Sequence, residues 1–526
     1  MLRQIRHMAK LARAARVIAR HGGLDAALED PQVPAPAKTA LRLIGAGKPR
    51  ARGEDTGLAK ALEELGPSYI KLGQFLATRP DIIGPERSKG LRQLQDRMAP
   101  FAMNEAREII RKGLGRPAGE VFPALSEPVA AASIAQVHKA EVTDEDGKRR
   151  QVAVKVLRPD VEVRFRDDLD TFFTAARLAE RFSAEARRLR FVKAVETLER
   201  SVELEMDLRL EASAMSEMAE NTRNDPGFRV PDVFWQETSR RVLTSEWIDG
   251  IALTDTEALA ASGLDLHRLG DTVIQSFLRH AMRDGFFHAD MHQGNLFIDR
   301  DNNLVAVDYG IMGRLSIKER RFLAEILWGF IRRDYRRIAE VHFEAGYVPA
   351  DQDVDLFAQA LRAIGEPIMG RSSSDISMGR LLTQLFEVTG QFSMETQPQL
   401  ILLQKTMVVV EGVARSFNPK LNMWVTAEPV VAEWVEQNLG ARARLEEAAD
   451  GAATLGKLAA AFPEAMSEVS QATHLLSTMA RSGGIRLDKE TTEQIAQAQS
   501  RHSSSTRGAL WVGAVALVVL ALSQAL

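Results

Sequence analysis

The chain contains no cysteine among its 526 residues. That excludes disulfides, thiolate nucleophiles, cysteine-ligated zinc and iron–sulfur clusters, and it fits a reducing compartment. A large excess of charge is missing too: 68 Lys and Arg stand against 71 Asp and Glu, a net −3. Binding of nucleic acid over the whole surface is therefore not expected. No internal repeat of fixed period is visible. The length allows two to four folding units with ample material for a core.

The near-neutral total hides an uneven distribution. Residues 1–52 hold eleven Lys or Arg and three Asp or Glu, so they carry +8 and the rest of the chain −11. The first 20 residues carry Arg3, Arg6, Lys10, Arg13, Arg16 and Arg20 and no acid. Leu2, Ile5, Met8, Leu11, Ala15 and Ile18 recur at helical spacing among them. The pattern is a basic amphipathic helix, suited to packing on its own domain or to an anionic membrane surface. It has no continuous apolar stretch, so it is not a secretory signal. At the other end, Ala509–Leu526 is interrupted only by Gly513, Ser523 and Gln524. Eighteen helical residues span roughly 27 Å, close to a bilayer core of roughly 30 Å. Arg501, His502 and Arg507 precede it, which places the bulk of the chain on the cytoplasmic side.

Between the ends the period of the sequence changes several times. Residues 31–55 read as a loose connection and residues 56–115 as helical. Val137, Val142, Val152, Val154 and Val156, with the turn-like Asp144–Gly147 between them, predict a β-hairpin. Residues 161–220 are charged and helical. Strand character returns at Val242–Ile248. From 264 the chain is mostly helical, broken by short strands near Leu296–Ile298 and Leu304–Val307, with an exposed loop at Ser372–Ser374.

Four features in order carry the chemistry. Lys155 lies on an apolar strand, where its ammonium reaches phosphate oxygens. Glu203, Glu205, Asp207 and Glu211 lie in a helical segment, and Glu211 precedes the small residues Ala212, Ser213 and Ala214. Close packing there makes Glu211 the candidate partner of Lys155. Next comes His288-Ala289-Asp290-Met291-His292-Gln293-Gly294-Asn295, a loop before a strand. Last is Val307-Asp308-Tyr309-Gly310, with Asp308 ending a strand. Asp, then Asn five residues on, then a strand-terminal Asp is the protein-kinase-like arrangement. Asp290 orients the attacking group or accepts its proton, and Asn295 with Asp308 supplies hard oxygen ligands for magnesium. A metal site on His288 and His292 is disfavoured, because no Glu adjoins either and Gly294 argues for a loop. His288 is expected to buttress that loop by hydrogen bonding.

The kinase pattern is broken in two places. Before the lysine stands Ala130-Ala131-Ala132-Ser133-Ile134-Ala135-Gln136-Val137, with alanine where a glycine-rich loop is usual, so backbone freedom falls. No Ala-Pro-Glu follows Asp308-Tyr309-Gly310, so a peptide-binding activation segment is not expected.

With these departures the chain resembles the UbiB/ADCK (aarF-domain) family of atypical kinases, in its bacterial branch. Lys71-Leu72-Gly73-Gln74 resembles the family's Lys-x-Gly-Gln motif. Ala130–Gln136 resembles its replacement for the glycine loop, and Glu205-Met206-Asp207 its Glu-x-Asp motif. The family usually has prolines at Met291 and Gln293, a glycine at Ala135 and a phenylalanine at Tyr309, and its bacterial members often end in two hydrophobic helices.

The resemblance implies an α+β, two-lobed protein-kinase-like fold with an N-terminal helical extension and a C-terminal transmembrane helix. The expected divisions are a basic segment and linker at 1–55, the extension at 56–118, an N-lobe at 119–250, a C-lobe at 251–435, a connector at 436–506 and the tail at 507–526. ATP and Mg2+ are the expected cofactors. Asp290, Lys155 and Glu211 would be catalytic, and Asn295 and Asp308 would hold the metal. Ala130–Val137, Lys155, Glu246 and Ile248 would bind the nucleotide. Lys71, Gly73, Gln74, Glu205 and Asp207 would be regulatory, the Lys71 helix filling the groove where a kinase seats its peptide, with Glu205 and Asp207 as its partners. The function implied is a membrane-anchored, magnesium-dependent ATPase supporting ubiquinone biosynthesis. A phosphotransferase acting on a protein or lipid-like hydroxyl, and a nucleotide-binding scaffold, are the alternatives. Expected partners are anionic membrane lipids, ubiquinone precursors, ubiquinone biosynthetic enzymes and a second copy of the chain, at a bacterial inner membrane; nucleic acid is not among them.

Overall fold

The computed structural model describes residues 2–21, 57–77, 98–144, 146–182, 186–187, 189–369 and 398–440, with single positions at 83, 90, 91, 94, 391, 392 and 394. The chain divides into Met1–Glu436 and Gln437–Leu526, and the description below concerns the first unit. The tail at 507–526, the linker at 31–55, the loop at Ser372–Ser374 and nearly all of the connector lie outside the described residues. Among the described residues no helix is long and apolar enough to cross a membrane.

Helix α1 (Leu2–Arg20) is followed by α2 (Gly57–Leu65) and α3 (Pro67–Ala77), then by α4 (Met103–Leu114) and the single turn α5 (Ala118–Val121). Strands β1 (Pro128–Ala131), β2 (Ala135–Thr143) and β3 (Arg149–Leu157) come next. Helices α6 (Val161–Phe182), α7 (Phe191–Glu205) and α8 (Leu208–Thr222) lead to β4 (Phe228–Arg229), β5 (Val242–Glu246) and β6 (Gly250–Ala252). The helical half opens with α9 (Thr256–Ala261) and α10 (Leu266–Arg279), then β7 (Phe286–His288), β8 (Leu296–Asp299), β9 (Leu304–Ala306) and β10 (Met312–Arg314). It continues with α11 (Ile317–Arg332), α12 (Tyr335–Glu344), α13 (Val354–Met369), α14 (Pro398–Phe417) and α15 (Met423–Leu439).

The first sheet has the antiparallel order β1-β2-β3-β5. Its hairpin turns at Asp144–Gly147, where Gly147 takes a positive φ of 76° and Lys148 N–H donates to the Asp144 carboxylate. Val152, Val154 and Val156 alternate along β3 and bury completely against Ile109 and Ile110 of α4 and Phe122. β-branched residues suit such a pleated face. Helix α4 therefore closes the back of the sheet and leaves its other face toward the cleft.

The basic helix α1 packs on its own unit. Ala14 and Val17 are buried. Lys10 Nζ reaches Asp167 at 2.5 Å and Asp168 at 2.7 Å on α6, and Arg6 joins Asp167. His21 and Arg20 meet Glu64 of α2. Tyr69 of α3 stacks edge-on against Phe172 of α6, with ring centroids 5.0 Å apart. Helix α6 thus carries α1 through ion pairs and α3 through an aromatic contact.

Candidate active site

The alternation that buries the valines of β3 turns Ala153 and Lys155 to the opposite face. There Val137 and Leu243 flank Lys155, and Lys139 and Ser245 flank Ala153. Lys155 Nζ donates to both oxygens of Glu211, at 2.8 and 2.9 Å, and lies 3.4 Å from Asp308 Oδ1. Glu211 is one turn into α8, whose start is fixed by Asp207 accepting the Arg209 N–H. Burial alone would lower the Lys155 pKa, but Asp308 and Glu211 outweigh it and hold the ammonium charged. Burial pushes the Glu211 carboxyl up to about 7 against the opposing pull of Lys155. Asp308 is also penalised by its surroundings, yet Lys155, the Gly310 N–H, His288 and Lys71 hold it well below the usual carboxylate range. One cation between two acids leaves a site that gains from a further positive charge.

The loop carrying Asp290 starts from a forced turn. Gly285 has φ +65°, and a Cβ there would sit 2.4 Å from the Leu315 carbonyl. Strand β7 then pairs with β10, and the His288 Nδ1 accepts the Asp290 N–H at 3.1 Å. Asn295 Nδ2 donates to the Asp290 carbonyl at 3.1 Å, and the Val307 N–H donates to the Asn295 carbonyl at 3.0 Å. The register Leu296↔Ala306 therefore sets Asn295 beside the end of β9; Asp308, expected to end that strand, lies two residues beyond it, because β9 stops at Ala306. Helix α14 braces the loop from outside: Thr406 Oγ1 donates to the Ala289 carbonyl at 3.1 Å, and Gln293 Nε2 to Ser416 Oγ at 2.7 Å. Met291 is 1% exposed. A buried thioether and a side-chain hydrogen bond thus stiffen the two positions where the family usually has proline.

Tyr309 lies fully buried, edge-on to His288 at 5.0 Å, and among the described residues its hydroxyl has no partner. A buried hydroxyl without a hydrogen bond costs about 1–3 kcal/mol. Tyr309→Phe is accordingly expected to hold or raise stability in urea denaturation, by up to about 1 kcal/mol, with the melting curve otherwise unchanged.

The nucleotide-binding expectations meet three different environments. Ala131 and Ala132 belong to a tight β1–β2 turn closed by the Ala132 N–H on the Ala135 carbonyl at 2.8 Å. Arg158 clamps it, donating from Nε to the Ala132 carbonyl at 2.9 Å, while its own N–H meets the Ile134 carbonyl. Ser133 and Ala135 are buried within it, whereas Ala130 of β1 is exposed. Gln136 turns inward instead: its amide meets Phe101 N–H at 2.9 Å and His138 Nε2 at 3.0 Å, so its side chain is withdrawn from any ligand. The Glu246 carboxylate is held by Arg229 at 2.7 and 3.0 Å, and Arg229 reaches on to Asp299 at 2.8 Å. The Glu246 N–H is spent as well, on the Asp232 carbonyl at 2.8 Å, so its carbonyl oxygen is what it offers a nucleotide. Ile248 is buried just beyond it.

On α3, Lys71 pairs with Glu205 at 2.5 Å, both side chains nearly buried. The Lys71 charge also reaches Asp308. Gly73 is a contact point, since a Cβ there would lie 2.4 Å from Leu94 and 2.6 Å from Leu62. Gln74 adjoins it, half-buried. Asp207, grouped with Glu205 by the sequence, is committed to the Arg209 guanidinium and to capping α8.

The Gly310 N–H and the Lys155 ammonium both engage Asp308 Oδ1. Asn295 spends its amide nitrogen on Asp290, so its carbonyl oxygen is the acceptor it offers. Asp308 Oδ2 and Asn295 Oδ1 are hard oxygens of the kind that magnesium takes, and they are the atoms that would hold it. Among the described residues no cluster of three His, Asp or Glu side chains could hold a metal alone. A metal here would complete its shell with phosphate oxygens and water. Sequence reasoning missed Leu243, Ser245 and Ala153 on the cleft face. Period-two alternation from Lys155 marks Ala153, while the β3–β5 register is needed to find the other two.

A family profile for the ABC1 atypical kinase-like domain matches residues 93–342, and one for the UbiB helical domain matches residues 361–422. Curated proteins named probable protein kinase UbiB are similar over most of the chain. That of Marinobacter nauticus is 41% identical over 73% of this chain and 70% of its own. Those of Azotobacter vinelandii and Actinobacillus pleuropneumoniae serotype 7 are 39% and 38% identical, over 80% and 88% of this chain and 80% and 85% of theirs. Among solved structures, the complex of Rv3197 with erythromycin from Mycobacterium tuberculosis is similar at 24% identity and a TM-score of 0.47, covering 70% of this chain and 93% of that one, a likeness too loose to build on.

Proposed function

The chain belongs to the UbiB family of ABC1-type atypical kinase-like proteins, and on that premise we propose that it is a membrane-anchored, magnesium-dependent ATPase acting in ubiquinone biosynthesis. The observation that carries this is the assembled set of Lys155, Glu211 and Asp308 beside Asp290 and Asn295. ATP would lie under the β1–β2 turn with Lys155 on its phosphates. Magnesium, when bound by Asn295 and Asp308, would neutralise phosphate charge. Asp290 accepts the proton of the attacking water.

Water is favoured over a peptide hydroxyl by the chain between Asp308 and α11. Residues 309–316 include β10, which pairs directly with β7, and Ser316, which caps α11. So short a segment offers no platform for a peptide. Lys71 and Glu205 next to Asp308 narrow the same approach. The apolar tail at 507–526 and the basic start suit an anionic bacterial inner membrane, with the body in the cytoplasm. ATP turnover there would serve the handling of quinone precursors or of the enzymes that modify them, in a single copy or a pair.

The full chain in vesicles containing anionic lipid should release phosphate from ATP when magnesium is present, and Asp290→Asn should not. Absence of release under those conditions would refute the proposal. Transfer of the γ-phosphate to a lipid or protein hydroxyl, with little free phosphate, would favour the phosphotransferase reading instead.

A further inference from the structure

His292 is left without a role by the constellation above. Its Nδ1 accepts the Gly294 N–H at 3.1 Å, capping the turn Gln293–Asn295. A ring nitrogen that accepts carries no proton, so the neutral imidazole bears its proton on Nε2. That Nε2 lies 3.6 Å from Asp290 Oδ2, beyond hydrogen-bond range but alongside the carboxylate. The two side chains are 52% and 36% exposed, so both are open to an incoming ligand. The buried His288 ring feels the charges of both Asp308 and Asp290, which sets the two carboxylates close to the same loop. His292 is thus a donor of fixed tautomer, on a loop braced by α14, two residues from the proton acceptor.

We propose that His292 is a catalytic residue whose Nε2–H donates a hydrogen bond to a non-bridging oxygen of the phosphoryl group as it leaves ATP. The inference rests on the ATP-hydrolysing reading. In the step, the water oxygen bonds to the γ-phosphorus while the bond from that phosphorus to the ADP oxygen breaks, and ADP keeps the electron pair. The water proton passes to Asp290 and then to solvent. His292 keeps its own proton throughout. Charge spread over the non-bridging oxygens is largest in the transition state, so a fixed donor there lowers the barrier more than it tightens substrate binding.

The competing view is that His292 only caps its turn. Three variants of the full chain separate the two. His292→Asn keeps a short acceptor for the Gly294 N–H and loses the donor's reach. His292→Gln places an amide N–H near the position of Nε2. His292→Ala removes both. Steady-state ATP turnover is expected to show kcat about 100-fold lower in the Ala and Asn variants, with KM for ATP within about twofold. The Gln variant should recover at least about fivefold over Ala. An Asn variant as fast as wild type, or an Ala variant within about threefold, would overturn the role of His292 while leaving the ATPase reading intact. A wild type without turnover would remove both together.

Discussion

Asp308→Asn is expected to leave a folded protein whose ATP turnover falls by about 1,000-fold or more. Asp308 ends the stretch after β9 and is the carboxylate held furthest below its ordinary range in the cleft, by Lys155, the Gly310 N–H, His288 and Lys71. Four groups thus keep it ionised. An amide at this position still accepts from Gly310 but offers magnesium no charge. Electrostatic stabilisation of phosphoryl transfer by metal and cation is worth about 10³ or more when a principal element is lost. Stability should change little. Lys155 keeps Glu211 as its partner, and the Asp308 side chain is 48% exposed, so its pair with Lys155 is worth about 1 kcal/mol or less. Turnover within tenfold of wild type would contradict the assignment of Asp308.

Lys155→Met is expected to abolish turnover and to destabilise the fold by about 3 kcal/mol at pH 8.5. The Lys155 and Glu211 side chains are only 18% and 7% exposed, so the variant strands a carboxylate in an apolar setting. Glu211 is already pushed up to about 7 with the lysine present, and without it the carboxyl moves higher still. A carboxyl whose folded pKa exceeds its unfolded one loses stability as pH rises between the two values. Wild type completes that loss near pH 7, whereas the variant goes on losing stability above it. The difference between them should therefore widen from pH 6.5 to pH 8.5 in urea denaturation. Lys155→Met with Glu211→Leu should close most of the gap, because matched apolar groups replace a buried pair at little cost. A gap independent of pH would show that Glu211 is not the group left unpaired.

Much of this site was legible in the sequence because its parts are local. The Asp290–Asn295 spacing is a property of one loop, and the hydrogen bond from the Asn295 amide to the Asp290 carbonyl closes that loop on itself. The valine alternation fixed which face of β3 bears Lys155. The choice of Glu211 came from the small residues behind it, and the structure joins the pair over a helix start set by Asp207. What the sequence hides is long-range. Gln136 and Glu246 read as nucleotide contacts by position, but their side chains are taken by Phe101 and His138 and by Arg229. The bracing of Ala289 and Gln293 by Thr406 and Ser416 spans more than a hundred residues. The docking of α1 depends on acids of α6 that no local pattern links to it. Asp207 shows the limit from the other side: two acids in one motif part company because one of them begins a helix.

The central claim is that the cleft around Lys155 and Asp308 is a site for a magnesium-bound nucleoside triphosphate. Calorimetric titration of the full chain with ATP, with and without magnesium, tests it directly. Binding should be strengthened at least about tenfold by magnesium in wild type, and that gain should vanish in Asp308→Asn while metal-free binding persists. No heat of binding up to millimolar ATP, or an equal magnesium effect in both proteins, would contradict it.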